Sequence, residues 1–174
     1  MPRHTGPLLV DTNVIIDAFV RSGDGRSLGS IELLRRVEKG DLVGILPTPV
    51  LVEIYYVVLD TTKDPGRAQR TLRTLLQLPN IRVQAVEGHH AMTAAEIIQE
   101  SNYVRLGKGD KLGRRSQGLS TVDALVLAIG RSIPDAVVCS NEGRFSQVRS
   151  VRTMRPREIT GVQDRGYPLN GGRP

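Results

Sequence analysis

The chain has 174 residues, 39% of them hydrophobic and 24% charged, with a net charge of +6. A chain of this length can bury a core without covalent staples, and its one cysteine, Cys139, allows no internal disulfide, which fits a reducing compartment. No apolar run approaches the roughly 18 residues needed to cross a bilayer, and the start MPRHTGPLLVDT lacks the apolar region of a signal peptide, so a cytoplasmic protein with no membrane partner is expected.

The charge is uneven. Residues 1–104 hold 11 basic and 12 acidic side chains, whereas residues 105–174 hold 13 and 6. Such a basic region favours a polyanion, with RNA or DNA first in line. A solvated surface, or compensation for an acidic partner, is the competing reading.

Residues 7–11 read as a short buried strand, followed by a helix from Asn13 to about Arg21 and a turn at SGDGRS, 22–27. SIELLRRVEKG (30–40) carries the helical period on Ile31, Leu34 and Val37, with Gly40 as a stop. LVGIL (42–46) reads as a second strand. TPVLVEIYYVVLDTT (48–62) reads as a helix with Thr48 as N-cap and Pro49 in the first helical position. Another helix runs from Pro65 to Leu78, a third strand covers 81–86, and a helix covers 89–106. GKGDKLGRRSQGLS (107–120) breaks the pattern and is expected as an exposed loop. A buried helix at 120–132, a strand at 135–140, a turn at NEGRF and a short strand near 150–154 complete the order. Strands alternating with helices predict a parallel sheet covered on both faces. The expected organisation is one domain over 1–154, then an irregular basic tail rich in Pro and Gly over 155–174.

In such a fold the site lies beyond the carboxyl ends of the strands. Asp11 ends the first strand, and Ser140, Asn141 and Glu142 follow the fourth. Glu53 has apolar or aromatic neighbours for three positions before it and six after, where a carboxylate facing ordinary core is costly to desolvate. A solvent-facing Glu on an otherwise buried helix is the plainer reading. Asp123 sits three residues after Ser120, the spacing of a capping box, and a residue in that first turn can also aim at a site. Helix capping is equally open to Asp11, and a turn to Glu142.

If the four acids converge, they repel one another unless a cation is present. A donor set of oxygens alone selects Mg2+ or Mn2+ over zinc. His89 and His90 open a helix, where adjacent positions diverge by about 100°, so they make no metal site. Cys139 lies within a strand and reads as a core residue. The turn DTNVII has no glycines for a dinucleotide. GKGDKLGRR lacks the spacing of a phosphate loop. An aspartyl-phosphate enzyme would need a downstream Lys that is not evident.

VDTNVII with Asp11, PVLVEIYY with Glu53, LSTVDALVLAIG with Asp123 and VVCSNEGRF with Glu142 together resemble a PIN-domain nuclease. The similarity is greatest to the VapC-type toxin ribonucleases and covers about residues 7–154. The resemblance implies a three-layer α/β/α domain around a parallel sheet, dependence on Mg2+ or Mn2+, and hydrolysis of RNA. It also implies a homodimer and a small antitoxin protein. One departure stands out: where the family pattern reads T-x-D-x-x-F, this chain reads Ser140-Asn141-Glu142-Gly143-Arg144-Phe145, with an acid one methylene longer. Asp11, Glu53, Asp123 and Glu142 are the expected catalytic and metal-binding residues. Thr12, Asn13 and Ser140 are expected to hold carboxylates or contact phosphate, and Lys108, Lys111, Arg114 and Arg115 to guide the RNA backbone. Tyr55 and Tyr56 are read as core or dimer contacts. A PIN-like module that binds RNA or protein without cleaving is the alternative.

Overall fold

The computed structural model describes residues 6–20, 25–105 and 118–162. Five strands form one sheet in the order β3-β2-β1-β4-β5, every pairing parallel. They are β1 (Leu8–Val10), β2 (Gly44–Pro47), β3 (Ile81–Gln84), β4 (Val137–Cys139) and β5 (Thr153–Met154). Leu8, Leu9 and Val10 are all fully buried although successive strand residues face opposite sides. Both faces of the sheet are therefore covered, the α/β/α layering expected of uninterrupted apolar strands.

The covering helices are α1 (Thr12–Phe19), α2 (Gly25–Lys39), α3 (Thr48–Thr62), α4 (Pro65–Leu76), α5 (Gly88–Arg105), α6 (Thr121–Ser132) and α7 (Pro156–Thr160). No described helix is long and apolar enough to cross a membrane. Helix α6 lies hard against β4: a Cβ added at Gly130 would come within 2.4 Å of Val138 Cγ2, so only glycine permits this approach. That contact seats the C-terminal half of α6 on β4 and, through Leu9, on β1.

Four local expectations change. Helix α2 already begins at Gly25, inside the predicted turn. Pro47, not Thr48, is the N-cap of α3, and Thr48 is helical. The segment after Glu142 is a short 3-10 turn over Gly143–Gln147 that buries Phe145. The irregular tail expected from Arg155 opens instead with α7. Pro156 and Thr160 are buried there, Gly29 of α2 packs against Arg157, and Arg36 Nη2 donates to the Thr160 carbonyl at 2.7 Å. Residues 163–174 and the basic segment carrying Lys108, Lys111, Arg114 and Arg115 lie outside the described residues.

Candidate active site

Asp11 follows β1 directly and is only 3% exposed. It caps α1, its Oδ1 accepting from the Thr12 amide at 2.8 Å. Oδ2 accepts from Asn13 Nδ2 at 2.7 Å and from Ser140 Oγ at 2.7 Å. Capping and site geometry thus coexist in one carboxylate, each through a different oxygen. Burial pushes the Asp11 pKa up to about 7; the bonds from Ser140 and Thr12 oppose this, and the charges of Asp123 and Glu53 add to it.

Those last two contributions bring the sequence-predicted acids together. Glu53, on α3, accepts from Thr12 Oγ1 at 2.5 Å, which ties α3 to the turn behind Asp11. Its flanks mislead in part: Val50, Ile54 and Val58 form the buried stripe of α3, but Val52 and Tyr56 are exposed. Tyr55 packs against the core and meets Tyr56 edge-on at 5.8 Å. Asp123 closes the capping box with Ser120: its amide donates to Ser120 Oγ at 3.0 Å and its Oδ2 accepts from the Ser120 amide at 2.8 Å.

Glu142 is turned elsewhere. Its Oε1 pairs with Arg144 Nε at 3.0 Å, and Arg144, with Arg26 beyond it, holds the Glu142 carboxyl below the usual range. Arg144 Nη1 also donates to the Gly118 carbonyl at 3.0 Å. Each of the three peripheral acids therefore has a protein partner. Among the described residues no three of the His, Cys, Asp and Glu side chains form a ready-made metal cage.

The donor chemistry nonetheless fits a divalent cation. A buried carboxylate with two more carboxylates raising its pKa is a site short of positive charge, and all its donors are oxygens. Among the described residues, neither histidine is bonded to these acids. The His89 and His90 rings lie 3.9 Å apart rather than diverging. His90 is buried, however, with Nδ1 accepting from the Glu87 amide at 2.9 Å and Nε2 3.0 Å from Ser132 Oγ, so both nitrogens are engaged. Cys139 is fully buried, and burial raises its thiol pKa well above the ordinary value, which leaves it inert.

A polar lattice beneath the acids is only partly legible in the sequence. Asn13 Oδ1 accepts from the Asn141 amide at 2.9 Å, and Asn141 Nδ2 reaches Asp17 Oδ2 at 2.8 Å and Ser30 Oγ at 3.3 Å. Asp17 is 1% exposed. The signal for it is the same one that marks Glu53: an acid inside VIIDAF, within an apolar helix.

The family model of the PIN domain matches residues 8–151, and the chain belongs to that family, whose nucleases generally use divalent metal ions. No curated protein sequence matches the chain. Among solved structures the fold is similar to VapBC2 from Rickettsia felis bound to a DNA fragment from its promoter, with a TM-score of 0.64 and 14% identity over 86% of this chain and 98% of that one. It is similar to VapBC-1 from nontypeable Haemophilus influenzae, with a TM-score of 0.59 and 14% identity over 87% and 98%. It is also similar to VapC20 of Mycobacterium tuberculosis, a toxin that cleaves the sarcin–ricin loop, with a TM-score of 0.54 and 20% identity over 83% and 98%.

Proposed function

We propose, from membership in the PIN-domain family and from the chemistry around Asp11, that this protein is a metal-dependent endoribonuclease. Its substrate is single-stranded or structured RNA, and its role is the toxin of a toxin–antitoxin pair. The observation that carries the reading is the state of Asp11: a buried carboxylate raised to about 7, with Glu53 and Asp123 adding negative charge.

In this reading Asp11 and Asp123 hold Mg2+ or Mn2+, and Glu53 holds it directly or through water. A bound cation would offset the carboxylate and phosphate charges and would supply the activated water that phosphodiester hydrolysis needs. Asn13 and Ser140 keep Asp11 aimed by donating to its Oδ2. Thr12 does the same for Glu53. No His base or Ser nucleophile is required of the chain. Glu142, the fourth acid, would complete a second metal position once its Oε1, bonded to Arg144, is released.

Lys108, Lys111, Arg114 and Arg115 attract the RNA backbone by charge and carry no sequence preference. A small antitoxin, a second copy of the chain and a cytoplasmic location belong to the same proposal, supported by the fold shared with the VapBC complexes. RNA cleavage by the purified protein with Mn2+, abolished on chelation, tests the reading.

The engagement of Glu53, Asp123 and Glu142 by protein groups favours a second reading, a PIN module that binds without cleaving. Calorimetric titration with Mn2+ separates the two: binding that Asp11→Asn removes supports the nuclease, and the absence of binding supports the module.

A further inference from the structure

Arg144 is placed oddly for a surface cation. It stands two residues beyond Glu142, pairs with it at 3.0 Å, and its charge also reaches Asp123. Glu142 is itself joined to the site, since its amide donates to Ser140 Oγ at 2.9 Å and Ser140 donates to Asp11. A guanidinium is therefore paired with one of the four acids and acts electrostatically on a second.

We propose that Arg144 receives the phosphate of the RNA strand at the site, and that Glu142 holds the arginine there until the strand arrives. The inference rests on the nuclease reading and extends it to a substrate-contacting residue.

Three observations carry it. First, the planar guanidinium presents parallel donors matched to two phosphate oxygens, and here those donors are engaged by one carboxylate oxygen and one carbonyl, which an anion can replace. Second, the side chains of Arg144 and Glu142 are 38% and 34% exposed, and an ion pair this open to water is weak enough to exchange partners. Third, Glu142 is not stranded when Arg144 leaves, because Arg26 at the start of α2 also acts on it. An acid site that must admit an acid substrate needs a cation that is present before binding and movable during it.

The test is the affinity of a short fluorescein-labelled single-stranded RNA, read by anisotropy in EDTA so that no cleavage is required. Arg144→Ala is expected to bind about tenfold more weakly, with the slope of log affinity against log salt reduced by about 0.7, the value for one phosphate neutralised on a single strand. Arg144→Lys is expected to fall between, keeping charge without the fork. Glu142→Gln is expected to bind more tightly than the unaltered protein, because the competitor for Arg144 is gone, and the double variant is expected to match Arg144→Ala. A clasp with only a structural role would weaken binding in both single variants. That result, or an Arg144→Ala protein of unchanged affinity and slope, overturns the proposal. Failure of the nuclease reading shows separately, as the absence of Mn2+-dependent cleavage by the unaltered protein.

Discussion

Ser140 donates its hydroxyl to Asp11 Oδ2 at 2.7 Å, joining two residues 129 positions apart in the chain. Ser140 Oγ itself accepts from the Glu142 amide at 2.9 Å and from Asn13 Nδ2 at 3.0 Å. One small side chain thereby locks the end of β4 to the end of β1. Ser140→Ala is predicted to cost about 1–3 kcal/mol, the penalty of leaving buried polar groups unpaired. Because the bond from Ser140 lowers the Asp11 pKa in the metal-free protein, its removal lets protons compete with Mn2+ for Asp11 up to more alkaline pH. Ser140→Thr keeps the hydroxyl and restores both. Urea unfolding and Mn2+ affinity measured across pH check the pair of effects.

Asp11 carries a stability prediction with a definite sign. Its folded pKa of about 7 lies above the ordinary aspartate value of 3.8, so the fold prefers the protonated form. The Asp11 contribution to the stability of the metal-free protein is full below about pH 4 and declines as pH rises to about 7, by a few kcal/mol for a shift of this size. Asp11→Asn removes the charge, so the variant melts higher than the unaltered protein at pH 8 in EDTA, and the difference vanishes near pH 4. Melting temperatures across that range decide it. A variant less stable at pH 8 would mean that the ionised carboxylate is not destabilising there.

Capping and the proposed metal ligation at Asp123 are separable. Ser120→Ala removes the acceptor for the Asp123 amide and should cost about 1 kcal/mol of stability while cleavage persists. Asp123→Asn keeps an oxygen for the Ser120 amide, so stability changes little, but the metal loses an anionic ligand and cleavage is abolished. Paired thermal melts and RNA assays on the two variants are expected to give opposite profiles.

The basic segment makes an electrostatic prediction that follows from charge alone. Replacing Lys108, Lys111, Arg114 and Arg115 with Ala should weaken RNA binding and flatten its salt dependence by up to about 0.7 for each phosphate no longer neutralised. A slope identical to that of the unaltered protein would show that these side chains do not meet the RNA backbone.

The order of strands and helices is readable because β1, β2 and β4 are short buried apolar runs and α1, α4 and α6 show the 3.6-residue period. Asp11 is readable for the same reason: LLV ends on a carboxylate where an α/β sheet opens its site. The apolar flanks that single out Glu53 are only half buried, since Val52 and Tyr56 beside it are exposed. Apolar neighbours in a helix do not say which face is covered. Helix α7 escapes notice because PREIT is too short for a period and owes its burial to α2, a contact 124 residues away in the case of Arg36 and Thr160. The Asn13–Asn141–Asp17 lattice depends on similar separations. The pairing of Glu142 with Arg144 spans two residues and is still hidden, because adjacency in a turn does not disclose side-chain direction.

A divalent cation held at Asp11 and Asp123 that drives RNA cleavage is the central claim. The most direct measurement follows a labelled single-stranded RNA with the unaltered protein, Asp11→Asn and Asp123→Asn, each with Mn2+ and with EDTA. The account predicts cleavage by the unaltered protein with Mn2+ alone and none by either folded variant. Undiminished cleavage by both variants, or cleavage that continues in EDTA, would contradict it.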